Sequence, residues 1–173
     1  MPSGAGPRLF FAVWPPPESA RALAEWALEA KRACGGRATA AENIHLTLAF
    51  LGEADPARAI AAAQRVRAHR FDLPMEEAQF WRHNRIVWVG PRELPRALAQ
   101  LADALHQELF KEQFKLETRP FAAHITLLRK ATDPEGLPPL TAPAWPVDEF
   151  LLVSSALSDA GSRYTVEKRF ALS

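Results

Sequence analysis

The pattern His-x-Thr-Leu stands twice in this chain, each time within an apolar run. The first copy lies in HLTLAF at residues 45–50, and the second lies in HITLLR at residues 124–129. Successive side chains of an extended strand point to opposite faces, so the His and the Thr of each copy share one face. Each copy is therefore predicted to be a strand with an apolar face for a core. Its polar face is left for water, a ligand or the other copy.

The segments around the two copies predict many short strands and few helices. Dense apolar and branched residues predict strands at 8–14, 43–51, 71–81, 85–90, 121–130, 149–158 and 163–172. Helical spacing of apolar residues predicts helices at 15–33, 55–69 and 94–112. The Pro-rich stretch 131–146 shows neither the helical nor the strand periodicity of apolar residues and is predicted to be a loop. Strands joined by short turns favour an α+β fold with antiparallel sheets.

The spacing of the two copies indicates a degenerate internal duplication. They begin at residues 45 and 124, about half a chain apart, and each follows a predicted helix. We therefore expect residues 1–173 to form a single domain made of two pseudo-symmetric lobes. A pseudo-twofold arrangement of the lobes would place the two polar strand faces together across a cleft.

Composition excludes several classes of protein. The chain has 173 residues, 48% of them apolar, with a net charge of +1, which is not the basicity of a protein that coats nucleic acid. No apolar run reaches the ~20 residues that span a bilayer, and the apolar N-terminal stretch is too short for a signal peptide. We expect a cytoplasmic monomer. Cys34 is the only cysteine and excludes a disulfide framework.

Two imidazoles that face each other across a cleft suit the hydrolysis of a phosphodiester. At neutral pH one ring can be neutral and accept a proton from water, while the other is charged and donates one to the leaving oxygen. Thr47 and Thr126 can donate hydrogen bonds to the non-bridging oxygens. Arg129 stands five positions after His124 and faces the opposite side of an ideal strand, so reaching a phosphate requires a twist, a bulge or a strand end.

The blocks RLFFAVWPP, ENIHLTLAFLGE, RIVWVG, PFAAHITLLR and FLLVSSALSDAGSRYTV resemble, in this order, those of the 2H phosphoesterases. They are most similar to the bacterial and archaeal RNA 2′,3′-cyclic phosphodiesterases, also called 2′-5′ RNA ligases. The resemblance covers nearly the whole chain. It implies a bilobal LigT-like fold, in which two antiparallel sheets face each other across a central groove with helices on the outside.

The resemblance also implies an activity and a role for each motif residue. The activity is hydrolysis of RNA 2′,3′-cyclic phosphate ends to 2′-phosphomonoesters without metal or cofactor, with a weak, reversible 2′-5′ ligation. His124 is implied as the proton acceptor that activates water, and His45 as the proton donor to the departing 3′ oxygen. Thr47, Thr126 and Arg129 are implied as the phosphate-binding residues.

Two other functions remain open at this stage. One is the same chemistry on a small cyclic nucleotide; the other is a noncatalytic RNA-binding module, although binding alone does not need two titrating rings. Phe50 and Phe121 flank the motifs and are the candidates for stacking on a base. A zinc site would need three or four ligands, and the motifs supply only two histidines, so we expect no metal. His69, His83 and His106 are interpreted as surface residues.

Overall fold

Within residues 7–159 and 161–173, which the computed structural model describes, the chain forms three α-helices and ten strands. The helices are α1 (Pro17–Cys34), α2 (Pro56–Gln64) and α3 (Arg96–Lys111). The strands are β1 (Arg8–Val13), β2 (Arg37–Ala38), β3 (Leu46–Glu53), β4 (Phe71–Leu73), β5 (Glu77–Trp81), β6 (Ile86–Gly90), β7 (Ile125–Arg129), β8 (Trp145–Val147), β9 (Glu149–Ser158) and β10 (Gly161–Ala171).

The strands form two four-stranded sheets and one two-stranded sheet. The first sheet has the order β10-β9-β1-β3 and contains the strand of the first motif, and the second has the order β2-β7-β6-β5 and contains the strand of the second motif. β4 and β8 form the small third sheet, and all the pairings are antiparallel. The predicted α+β class with antiparallel sheets is confirmed.

The two halves of the chain repeat one connectivity. In each half, a strand, a helix and a motif strand follow one another, and the two strands are antiparallel neighbours: β1-α1-β3 and β6-α3-β7. Each motif strand is followed by one strand of the small sheet and then by a hairpin, β5-β6 or β9-β10. The single domain of two pseudo-symmetric lobes, drawn over residues 1–173, stays a prediction, and residues 1–6 and 160 lie outside the described part.

Alternation along β1 sends its side chains into two separate hydrophobic clusters. Phe11 and Val13 are fully buried in the main core, which the helices and the apolar faces of both large sheets share. Phe10 and Ala12 point the other way and join Leu151 in a small cluster on the opposite face of the first sheet. Full burial of a large apolar side chain contributes about 1.5–3 kcal/mol, so both faces of this sheet are held in place.

The second helix is shorter than predicted. Asp55 caps its N-terminus as expected, because its carboxylate accepts a hydrogen bond of 3.0 Å from the backbone N–H of Ala57. The helix ends at Gln64 rather than at residue 69. The chain beyond it pairs with the C-terminus: the backbone N–H of Arg70 donates to the carbonyl of Ser173 at 2.9 Å, so it is not available to the Val66 carbonyl as it would be in a longer helix.

Two other predictions of local structure were wrong. Residues 71–81 form two strands in different sheets, β4 and β5, where one strand was predicted. Residues 131–146 were predicted as loop throughout, but Trp145 is buried and begins β8, which pairs with β4. The remainder of that loop is tied down because the indole N–H of Trp26 reaches the carbonyls of Pro138 and Pro139. Among the described helices, none is both long and apolar enough to cross a membrane.

Candidate active site

One groove of about 650 Å³ receives residues from both large sheets. Its volume lies in the range of small-molecule sites. His45 and Thr47 line it from the first motif, and His124 and Thr126 line it from the second. The structure thus brings both motifs to a single cavity. Each His lies one residue before its strand, not within the strand as predicted, and this position leaves its ring at the strand entrance.

Both imidazoles are oriented by the same local hydrogen bond. Nδ1 of His45 lies 2.7 Å from the carbonyl oxygen of Asn43, and Nδ1 of His124 lies 3.0 Å from that of Ala122, each two residues back. A carbonyl only accepts, so Nδ1 carries the proton in the neutral ring and Nε2 keeps its lone pair. The Thr47 hydroxyl then donates to Nε2 of His45 across 3.1 Å. Each ring is therefore fixed in the tautomer that a general base needs at Nε2.

Aromatic rings surround both histidines. Trp14 stacks on His45 with the ring centroids 4.6 Å apart and the planes inclined by 17°, while Tyr164 meets the same ring edge-on. The indole N–H of Trp14 donates to a backbone carbonyl at 3.0 Å, which fixes the stack. His124 lies 4.7 Å from Trp81 in a tilted arrangement. The packing holds each imidazole in one orientation and removes much of its water.

Removal of water changes the proton affinity of both rings. Burial lowers the pKa of His45 to about 4, against a smaller opposing effect from the Asn43 carbonyl. Burial also lowers the pKa of His124, and the positive charge of Arg129 acts in the same direction on both rings. Both imidazoles are consequently neutral at pH 7 in the free protein.

A bulge follows the Thr of the second motif and explains how Arg129 reaches the groove. On the neighbouring strand β6, Trp88 is paired with Thr126 and the preceding Val87 with Leu128, so Leu127 is an extra residue without a partner. Leu127 and Leu128 are both buried, which interrupts the alternation. Arg129 is thereby returned to the face of Thr126 and lines the groove.

The first motif has the same bulge in the same place. Ala12 is paired with Thr47 and Phe11 with Ala49, so Leu48 is the extra residue, and Leu48 and Ala49 are both buried. Phe50 is returned to the groove face and is 62% exposed. Phe50 and Arg129 thus occupy corresponding positions in the two motifs, each five residues after its His.

In each bulge, the carbonyl of the extra residue accepts a hydrogen bond from a group outside the two paired strands. His106 Nε2–H donates to the carbonyl oxygen of Leu48 at 3.0 Å, and the backbone N–H of Thr39 donates to that of Leu127 at 2.9 Å. An unpaired buried carbonyl would destabilise the bulge, so these donors support its geometry. His106 was interpreted as a surface residue; it is half-buried on α3 and performs this structural role.

The groove is strongly cationic in character. Besides Arg129, the guanidinium groups of Arg8 and Arg37 line it, and no Asp or Glu stands among its lining residues in the described part of the chain. Arg8 and Arg37 were not identified from the sequence. Arg37 in particular lies on a strand of only two residues, which leaves no readable pattern.

Phe121 is placed differently from Phe50. It is half-buried, packs against the main hydrophobic core and is absent from the lining of the groove in the structure as described. Arg85, in the turn before β6, donates its side-chain hydrogen bonds to the carbonyls of Ala131 and Lys130, and so holds the chain that follows β7. The part of the chain that the structure covers has no group of three or more His, Cys, Asp or Glu side chains arranged to hold a metal ion.

This arrangement of paired His-x-Thr strands around one groove defines a 2H phosphoesterase. The sequence model of the family described as LigT like Phosphoesterase matches the chain twice, over residues 13–88 and 89–164. The RNA 2′,3′-cyclic phosphodiesterase of Escherichia coli (strain K12) is 40% identical over 169 residues, which are 95% of this chain and 96% of that protein. That of Thermus thermophilus is 34% identical over 182 residues, with coverage of 95% and 90%.

The crystal structure of E. coli LigT in its apo form superposes with a TM-score of 0.89 at 38% identity, covering 98% of this chain and 99% of that one. The chain therefore belongs to the LigT-like phosphoesterase family. The fold and family expected from the two motifs are confirmed.

Proposed function

We propose that this protein hydrolyses 2′,3′-cyclic phosphate ends of RNA and leaves the phosphate on the 2′ oxygen. The observation that carries the proposal is the pair of imidazoles, each with Nδ1 held by a backbone carbonyl and both lining one cationic groove. The relatives named RNA 2′,3′-cyclic phosphodiesterase support the choice of reaction and of substrate class.

The proposed reaction is a single displacement at phosphorus. His124 acts as the base: its Nε2 takes a proton from water, and the water oxygen forms a bond to phosphorus. The bond from phosphorus to the 3′ oxygen breaks, and His45 donates a proton from Nε2 to that oxygen. Thr47, Thr126 and Arg129 hold the non-bridging oxygens, on which negative charge accumulates.

The acid in this scheme must carry a proton that burial disfavours. Burial lowers the pKa of His45 to about 4 and lowers that of His124 as well, so in the free enzyme the form with one protonated ring is a minority at pH 7. A bound phosphate anion favours the imidazolium by charge attraction. The profile of kcat/KM against pH, which reports the free enzyme, should therefore be bell-shaped with its maximum below pH 6.5.

The same site supports a second candidate, hydrolysis of small cyclic nucleotides. A volume of about 650 Å³ accommodates a single nucleotide, and E. coli LigT has been crystallised with 3′-AMP. We also propose weak, reversible 2′-5′ ligation, in which the 5′-hydroxyl of a second RNA takes the place of water: His124 takes its proton, its oxygen bonds to phosphorus, and the bond to the 3′ oxygen breaks as that oxygen takes a proton from His45. A noncatalytic binding module is less compatible with the site, because both rings are oriented for proton transfer.

We further propose that the protein acts in the cytoplasm as a monomer, with residues 1–173 forming one domain of two pseudo-symmetric lobes. The repeated connectivity and the contribution of both sheets to one groove support the lobes. Light scattering of the purified protein gives the oligomeric state, and a mass of about one chain is expected.

The decisive experiment is product analysis with a short RNA that ends in a 2′,3′-cyclic phosphate, in buffer containing EDTA. We expect hydrolysis to a 2′-phosphate end. His45→Ala and His124→Ala should each lower kcat by about 10²–10⁴, and the exposed His69→Ala provides a control that retains full activity. Unchanged hydrolysis in the double variant His45→Ala, His124→Ala would rule out the paired mechanism.

A further inference from the structure

The groove holds more positive charge than one phosphate requires. Arg129 stands next to Thr126 and serves the reacting phosphate in the scheme above. Arg8, at the start of β1, and Arg37, on β2, line the same groove. Over the described residues, none of these three guanidinium groups has an ion-pair or hydrogen-bond partner. Of the thirteen other arginines, seven do have one, namely Arg58, Arg65, Arg67, Arg82, Arg85, Arg119 and Arg169.

Arg37 lies directly beside Arg129. The two are cross-strand partners in the antiparallel pair of β2 and β7, so their Cα atoms are about 4.5–5.5 Å apart. Like charges directly opposite each other on a sheet are destabilising. A pair of unneutralised arginines at this position therefore has an energetic cost in the free protein, which a ligand with two adjacent negative charges would remove.

The Arg37 side chain extends from the second sheet to the first. A Cβ added at Gly161 would lie 2.9 Å from Nη2 of Arg37, so the guanidinium reaches the start of β10 in the first sheet. The side-chain amide of Asn43 donates to the carbonyl of the adjacent Ser162 at 3.3 Å, which ties this end of the hairpin to the segment that precedes His45. Arg37 thus spans the groove between its two sheets, next to the phosphate-binding position but separate from it.

We propose that Arg37 binds the phosphodiester that precedes the cyclic phosphate in an RNA strand. This inference rests on the proposed function and adds a substrate preference to it: the groove reads a strand end with at least two consecutive phosphates, not an isolated nucleotide. A guanidinium presents several donors in a planar fork that matches two phosphate oxygens. Arg37 is exposed on the short strand β2 at the rim of the groove, which leaves room for the RNA chain to continue outward.

The test compares three substrates: uridine 2′,3′-cyclic phosphate, the dinucleotide UpU ending in the cyclic phosphate, and the same dinucleotide with an uncharged methylphosphonate linkage. For Arg37→Gln we expect kcat/KM on charged UpU to fall about tenfold, the order of effect of one charge-assisted hydrogen bond. The loss should lie in KM, and the other two substrates should be cleaved as by the wild type. Arg37→Lys should restore part of the affinity, and Arg21→Gln, on the exposed side of α1, should behave as the wild type throughout.

A binding measurement keeps this inference separate from the hydrolytic proposal. Calorimetry with UpU ending in a 2′-phosphate, compared with 2′-UMP, reports the second phosphate without any reaction. We expect Arg37→Gln to weaken only the dinucleotide and to lower the steepness of the salt dependence by about one in the log–log slope. Equal losses on mononucleotide and dinucleotide, or an undiminished affinity for both, would overturn the assignment even if wild-type hydrolysis were absent.

Discussion

Replacement of Arg129 by Gln should have two separable effects on the enzyme. Arg129 lines the groove with Thr126, so its loss should remove the charge-assisted contact with phosphate proposed above. Such contacts contribute about 1.5–3 kcal/mol. Arg129 is exposed, so we expect the lower end of that range, a loss of about tenfold in kcat/KM.

The second effect of Arg129→Gln concerns protons. Burial is the largest cause of the low pKa of both His45 and His124, and the positive charge of Arg129 lowers each further. Removal of that charge should raise both pKa values. Because the proposed mechanism requires one neutral and one protonated ring, the whole bell-shaped profile of kcat/KM should move to higher pH.

Arg129→Lys is the matched control for this prediction, since it keeps the charge and loses the planar fork. Its kcat/KM should fall, but its pH profile should stay where the wild-type profile lies. The assay is initial-rate hydrolysis of a cyclic-ended dinucleotide from pH 4.5 to 9 at constant, low ionic strength, because salt screens the effect. A profile for Arg129→Gln that coincides with the wild type would refute the electrostatic coupling, and an unchanged kcat/KM would refute the phosphate contact.

Three further predictions follow from individual side chains. Phe50→Ala should weaken nucleotide binding by about 1–3 kcal/mol in calorimetry, as expected for one stacked base, whereas Phe121→Ala should leave affinity unchanged and lower the melting temperature because that ring packs on the core. Gly36→Ala should lose about 1–3 kcal/mol of stability in denaturant unfolding, because Gly36 has a φ of +89° and its Cβ would lie 2.6 Å from a backbone carbonyl of β7; Gly136→Ala, in open space, should be neutral. His45 has a pKa of about 4 in the folded protein, below its ordinary value of about 6.5, so acid protonates the unfolded chain first. The free energy of unfolding should therefore fall by up to about 3 kcal/mol as the pH drops from 6.5 to 4. His45→Gln should flatten the fall in melting temperature over this interval.

The histidines and threonines of the site could be predicted because their chemistry is visible in a repeated pattern. Strand alternation places His45 with Thr47 and His124 with Thr126 from the spacing alone, and the structure brings these side chains to one groove. Arg37 could not be predicted in this way. It stands on a strand of two residues, and its position depends on a long-range pairing with β7 that no local periodicity reports.

The errors in local structure have the same physical origin. Residues 71–81 read as one strand because both ends are apolar, but the two parts pair with β8 and β6, which belong to different sheets. Trp145 was assigned to a loop because prolines surround it, and it is buried because β4 offers it a partner. The structure of such segments depends on pairing partners that are distant in sequence, and local propensity carries no information about those partners.

The duplicated motif sets the symmetry of the groove, and the residue five places after each His removes that symmetry. The same bulge turns Phe50 into the groove on β3 and Arg129 on β7. In each case two consecutive apolar residues are buried together, Leu48 with Ala49 and Leu127 with Leu128. An apolar ring and a guanidinium attract different parts of a nucleotide, the base and the phosphate. A ligand held by both has one orientation between two otherwise similar imidazoles. We therefore expect the unlike residues that follow the two histidines, more than the histidines themselves, to decide which ring serves as the acid.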